Sequence, residues 1–254
     1  MGLPNVVVEF KTKATTAVMR SERGIVCVVL EDATKTTVLH EYKQASEIEA
    51  ADWTAENAGM LKDAMEAGAS KLYAVRLAAE GNIEGVKTTL DALKFNWICH
   101  ISDTQTDVIS YVTERNKTGA SLRIKAIVSG ATAPDDMHIV NLKNTTVTKK
   151  DGTEVTANKY LPHIAGVLAG LGMDRSATYY ELTDLKSVDK IAKPGEAIDE
   201  GYLVLINDYG TVKIARGVNS ATTAEKDDFK KIAIVEAMDM IREDIMETFK
   251  KYYL

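Results

Sequence analysis

Apolar runs too short to be helices alternate along this chain with segments whose apolar positions recur every three or four residues. The first strong run is GIVCVVLED, Gly24 to Asp32, a β-branched stretch of the kind buried on both faces of a helix-covered sheet. TTVLHEY, Thr36 to Tyr42, predicts a shorter and more polar strand. From Asp52 the period changes: Trp53, Asn57, Met60, Leu61, Ala64 and Met65 share one helical stripe, Gly68 supplies the stop, and KLYAVRL comes next as a strand. Asn82 can cap a helix carrying Val86, Leu90 and Leu93 that delivers the chain to NWICHI. Thr104 can cap another with Val108, Ile109 and Val112, ended by Gly119 and leading into LRIKAIVS, Leu122 to Ser129. Repeated helix-to-strand units predict an α/β fold, a mostly parallel sheet covered by helices with right-handed crossovers, over residues 23 to 145.

Residues 146 to 254 have a different texture, read as a second, α+β part. HIVNLKNTTVTKKDGTEVT alternates and contains Asp151-Gly152, which predicts a β-ribbon. YLPHIAGVLAGLG predicts a helix in which Pro162 is tolerable only in the first turn. YLVLINDYGTVKIAR reads as two strands around a turn at Asn207 to Gly210, and a last helix starts near Asp227. Ile234, Met238, Ile241, Ile245 and Tyr252 line up along that helix, with Val235, Met246 and Phe249 beside them. So broad a stripe calls for cover on more than one side, and the chain is expected to continue past Leu254 or to meet a partner there.

The first residues pose a different problem. GLPNVVVEF, Gly2 to Phe10, predicts a strand with Val6, Val8 and Phe10 on one face and Val7 and Glu9 on the other. After Phe10 the chain enters the polar, glycine-poor KTKATTAVMRSER rather than a turn, so no local partner strand presents itself. Residues 1 to 22 read as an arm.

Composition narrows the function. With 254 residues and 45% hydrophobic content the chain can fill a large core. A net charge of -6 repels nucleic acid and anionic membranes, and neither is expected as a partner. No membrane span or secretory signal is read, so synthesis in a cytoplasm is expected. Cys27 and Cys99 sit inside apolar strand runs, where a thiol acts as a small hydrophobe, and no disulfide is expected.

Candidate chemistry is sparse. Glu31, Asp32, Ser102, Asp103 and the Ser129-Gly130 pair fall at strand ends, where an open parallel sheet gathers ligands; they read better as turn formers and caps. No phosphate loop succeeds the first strand, and Gly166 and Gly170 at four-residue spacing read as a close helix contact. His40, His100, His138 and His163 are scattered, and Asp135 to His138 (DDMH) reads as a solvated loop. No catalytic, metal or cofactor site is assigned. The alternative is a small-molecule or nucleotide-binding enzyme using the strand ends, and a third class is an adaptor that binds peptides by strand addition.

LPHIAGVLAGLGMDRSATYYELTDL, from Leu161, and NDYGTVKIARGVNSATT, from Asn207, resemble the contractile-tail sheath proteins of phages, prophages and phage-tail-like bacteriocins of Gram-positive bacteria. GLPNVVVEF, RGIVCVVLED and FKKIAIVEAMDMIREDIMETFKKYY are similar to that family in the same order. The resemblance implies a non-catalytic subunit that polymerises around an inner tube protein and contracts to drive it through a target envelope. It also implies that Asn5, Val6, Val7, Val8, Glu9 and Phe10 add as a strand to a neighbouring copy. Family members continue beyond the long last helix, so this chain by itself is expected to be a monomer or small oligomer.

Overall fold

The computed structural model describes residues 23–117, 122–132, 134–172, 174–224 and 226–253. Its centre is strand β1 (Ile25–Glu31), in which Ile25 through Leu30 are all buried. Val26, Val28 and Leu30 point into one core and Ile25, Cys27 and Val29 into another, so the unbroken apolar run serves two faces at once. β1 pairs in parallel with β3 (Lys71–Leu77) on one side and β4 (Trp97–Ile101) on the other. Beyond β4 come β5 (Lys125–Ser129), β6 (Ile139–Leu142) and β10 (Tyr202–Leu203), all parallel. The opposite edge is β2 (Leu39–Tyr42), antiparallel to β3, which completes a seven-stranded sheet.

Helices α1 (Ala55–Glu66) and α4 (Ala157–Gly170) cover one face, and α2 (Ile83–Asp91) and α3 (Thr106–Asn116) the other. The stripe read for α1 is its buried side, and the Thr54 hydroxyl accepts from the Asn57 amide at its start. Asn82 caps α2 by accepting from the Gly85 amide at 3.2 Å. The cap read for α3 is corrected: the helix begins at Thr106, and the Thr104 amide instead donates to the Ser102 hydroxyl oxygen. Asp107 supplies the acceptor, taking the Val108 amide at 2.7 Å and the Ile83 amide at 3.1 Å. Gly119 lies outside the described residues.

Pro162 is a second correction. The helix starts at Ala157, so the proline falls in its second turn and not its first. The carbonyl that loses its helical partner belongs to half-buried Asn158, near the helix start, while the ring itself is buried. Ile139–Leu142 joins the parallel sheet, so the ribbon is shorter than read: β7 (Thr146–Lys149) and β8 (Glu154–Thr156) around Gly152, whose φ is +90°. β9 (Leu185–Val188) pairs with the other edge of β7. A short helix α5 (Pro194–Asp199) precedes β10, and β11 (Leu205–Asp208) and β12 (Thr211–Ile214) form a hairpin. A 3-10 turn at Asp227–Lys230 leads into α6 (Ile232–Tyr253).

Candidate functional site

The order β3-β1-β4 places a topological switch point at the carboxyl ends of β1 and β4, where a ligand would sit in an open α/β sheet. Glu31, Ser102 and Asp103 do come together there, around a hollow of ≈ 340 Å³ also lined by Asn57, Thr104, Asn158 and Lys159. Asp32 is not among the lining residues, and the carboxylates of Asp32 and Asp103 are engaged within the fold. Asp32 accepts from the Thr34 amide at 2.8 Å, the Thr54 amide at 2.9 Å and the Asn57 side chain at 2.7 Å. Burial alone would raise its carboxyl, but these donors outweigh it and hold Asp32 well below the usual carboxylate range. Asp103 accepts from the Asn158 side chain at 3.1 Å. Ser129 and Gly130 are not among the residues lining the hollow. Asp32 and Asp103 therefore fasten α1 and α4 to the sheet.

His100 and His163 are each paired with a carboxylate. His100 Nδ1 pairs with Asp107 at 3.1 Å, and His163 Nε2 with Asp184 at 3.2 Å. His40 stacks on Tyr42 at the sheet edge. Among the described residues no group of three or more histidine, cysteine, aspartate or glutamate side chains is placed to hold a metal ion. Cys27 and Cys99 are buried and free.

The loop at Asp135 to His138 overturns its reading as simply solvated. Asp135 accepts the Thr222 and Thr223 amides and hydroxyls. His138 is buried, with Nδ1 3.4 Å from Asp136 and Nε2 3.4 Å from Asp239 of α6. This is one end of a cluster missed by sequence reasoning. Lys125, the first residue of β5 and 3% exposed, sets its ammonium 2.8 Å from Asp239 and 3.3 Å from Glu236. Further along α6, Glu243 receives Arg23 at 2.6 Å and Lys94 at 2.9 Å. Glu236, Asp239 and Glu243 stand at an i, i+3, i+7 spacing, one face of the helix. Each base stands at or just before the amino end of a parallel strand: Arg23 before β1, Lys94 before β4, Lys125 on β5, His138 before β6.

The other side of α6 is apolar and open. Ile234, Met238, Ile241 and Ile245 are 37%, 42%, 56% and 63% exposed, and their four-three-four spacing makes one continuous seam. Asn5, Val6, Val7, Val8, Glu9 and Phe10 lie outside the described residues. No described helix is long and apolar enough to cross a membrane.

No protein-family model matches the chain. A curated relative, the tail sheath protein of Clostridium phage phiCD119, is 30% identical over 269 aligned residues, which take in all of this chain and 74% of the relative. The fold matches the crystal structure of a sheath tail protein from Desulfitobacterium hafniense, with TM-score 0.77 and 15% identity over 98% of this chain and 84% of that one. A sheath tail protein from Listeria innocua gives TM-score 0.79 and 16% identity over 94% of this chain and 81% of that one. The helical sheath of the anti-feeding prophage in its contracted state gives 0.69 at 12% identity, over 98% and 76%.

Proposed function

The chain belongs to the tail sheath protein family, and we propose that it serves as a repeating subunit of a helical sheath that encloses an inner tail tube and contracts to drive it through a target envelope. The observation that carries this reading is the match to a phage tail sheath protein along the entire chain, supported by a fold shared with sheath proteins. The role is structural, consistent with strand-end carboxylates already engaged in holding helices. The partners are neighbouring copies and the tube protein, assembled in the bacterial cytoplasm into a phage tail or tail-like particle. Residues 1–22 act as the arm, 23–145 as the α/β part, and 146–254 as the part nearer the tube.

Asn5 to Phe10 are the residues we assign to the contact between copies. An extended segment leaves backbone donors and acceptors unpaired; adding it to a neighbour's sheet satisfies them while covering Val6, Val8 and Phe10. Residues 11–22 then form a tether that lets globular bodies turn while the strand keeps its register. Contractile particles purified from the producing bacterium and labelled with antibody against this chain test the reading. Label is expected along the tail shaft; its absence from the shaft overturns the proposal. Replacing Val6 and Val8 by proline in the producing bacterium is expected to abolish sheath formation there and to leave the melting temperature of the isolated chain unchanged.

A further inference from the structure

Helix α6 is fastened to the body chiefly by charge. Among its described side chains the buried apolar anchors are Ile232 and Val235 of the first turn, and beyond them the inward side chains include Asp239 and Glu243. Beneath it lies a cavity of ≈ 270 Å³ lined by Trp97, Leu168, Ile232 and Met240, with Arg23 and Glu236 also on its wall. From Glu236 to Glu243 the helix rises about 10 Å, roughly two strand spacings. That rise is what lets three carboxylates reach bases at the ends of four neighbouring strands.

A contact made this way differs in kind from a packed core. Unfilled space forfeits dispersion energy, and ion pairs depend on protonation and salt in a way that apolar burial does not. The root of the helix, by contrast, is tied by backbone: the Ile232 amide donates to the Gly217 carbonyl, and Val218 bridges Lys231. We propose that α6 is a releasable clasp that swings away from the amino ends of the sheet as one unit about this root, while the sheet itself stays folded. The device is independent of whether residues 5–10 exchange between copies.

His138 supplies the lever. The groups facing it are Asp136 in its own loop, Lys125 on β5 and Asp239 on α6; Glu236 pairs with Lys125, and Arg242 is one turn beyond Asp239. Burial would lower its pKa, but the hydrogen bonds to Asp136 and Asp239 outweigh burial and raise it. Burial would likewise raise Asp239, yet the His138 hydrogen bond and the Lys125 charge hold it at about 2. A raised histidine contributes its full stabilisation below its unfolded value, about 6.5, and loses it as pH rises through the folded one. A depressed aspartate keeps its contribution above about 3.9 and loses it only in strong acid. The clasp is therefore tightest in mildly acidic solution and loosens above neutrality.

Hydrogen exchange of the 254-residue chain at pH 6 and pH 8.5, corrected for intrinsic rates, tests this. Amides of residues 236–246 are expected to lose protection on going to pH 8.5, about tenfold for each pKa unit by which His138 is raised, while β1 and β4 lose none. His138→Gln is expected to abolish the difference and leave α6 at the loose level at both pH values. Exchange of α6 in step with β1 at both pH values overturns the clasp whatever the variant does. A pH dependence that survives His138→Gln overturns the assignment of the lever.

Discussion

Helices α4 and α6 both lie against the parallel sheet, α4 across a face and α6 across the amino ends of the strands. In α4 nearly every inward position is apolar, and Tyr160, Leu161, Ile164, Ala165 and Leu168 merge with Val26, Val28 and Leu30 of β1 in one core. It also approaches α1 backbone to backbone: a methyl group built on Gly166 would collide with the Ala64 carbonyl oxygen, and one on Gly170 would come within 2.8 Å of the Gly68 carbonyl oxygen. In α6, beyond the buried Ile232 and Val235 of its first turn, inward positions carry carboxylates and the apolar seam faces out. Shape complementarity admits one arrangement and resists small displacements. Paired charges beside a cavity tolerate displacement better.

The harshest test of that contrast is Gly166→Leu. The side chain has nowhere to go, because the obstructing atom is main chain and cannot rotate aside. We expect loss of the soluble fold, seen as aggregation on expression, whereas an equally large residue on the outer seam of α6 leaves expression intact. Next in size is Leu61→Ala, in the fully buried stripe of α1. Cavity formation there costs about 3 kcal/mol, roughly 6 to 12 °C in melting temperature for a chain of this length. A shift below a degree or two in a calorimetric scan would mean that α1 and α4 are no better packed than α6, and the contrast would vanish.

Sequence pattern revealed α4 and α6 unequally, for a physical reason. The four-residue spacing of Gly166 and Gly170 is local, and a helix with a glycine notch can mean little except close approach. Pro162 misled because its cost depends on where the helix starts, and Ala157 was not marked by a side-chain cap. The unbroken apolar run of β1, the cap at Asn82 and the Asp151-Gly152 turn were likewise written within a few residues each. The clasp was not. Arg23, Lys94, Lys125 and His138 lie far apart in the chain and become neighbours only because the sheet order is β6-β5-β4-β1. A signal was nonetheless present: Lys125 is set directly between Ile124 and the apolar Ala126 to Val128, and a lysine buried there needs an acid brought to it.

The mildest substitution probes the two helices from the other side. Ile241 is 56% exposed, midway along the outer seam of α6, so replacing it with lysine removes little buried apolar area and puts a charge into water. Stability of the isolated chain should move by no more than about 0.5 kcal/mol, within the range of ordinary surface substitutions. The same change should reduce self-association in a concentration series by analytical ultracentrifugation, because an apolar seam of four residues is the kind of patch that pairs with another copy. If Ile241→Lys instead destabilised the monomer as strongly as Leu61→Ala, the seam would be part of the core. The account of α6 as a helix held from its charged side would then be wrong.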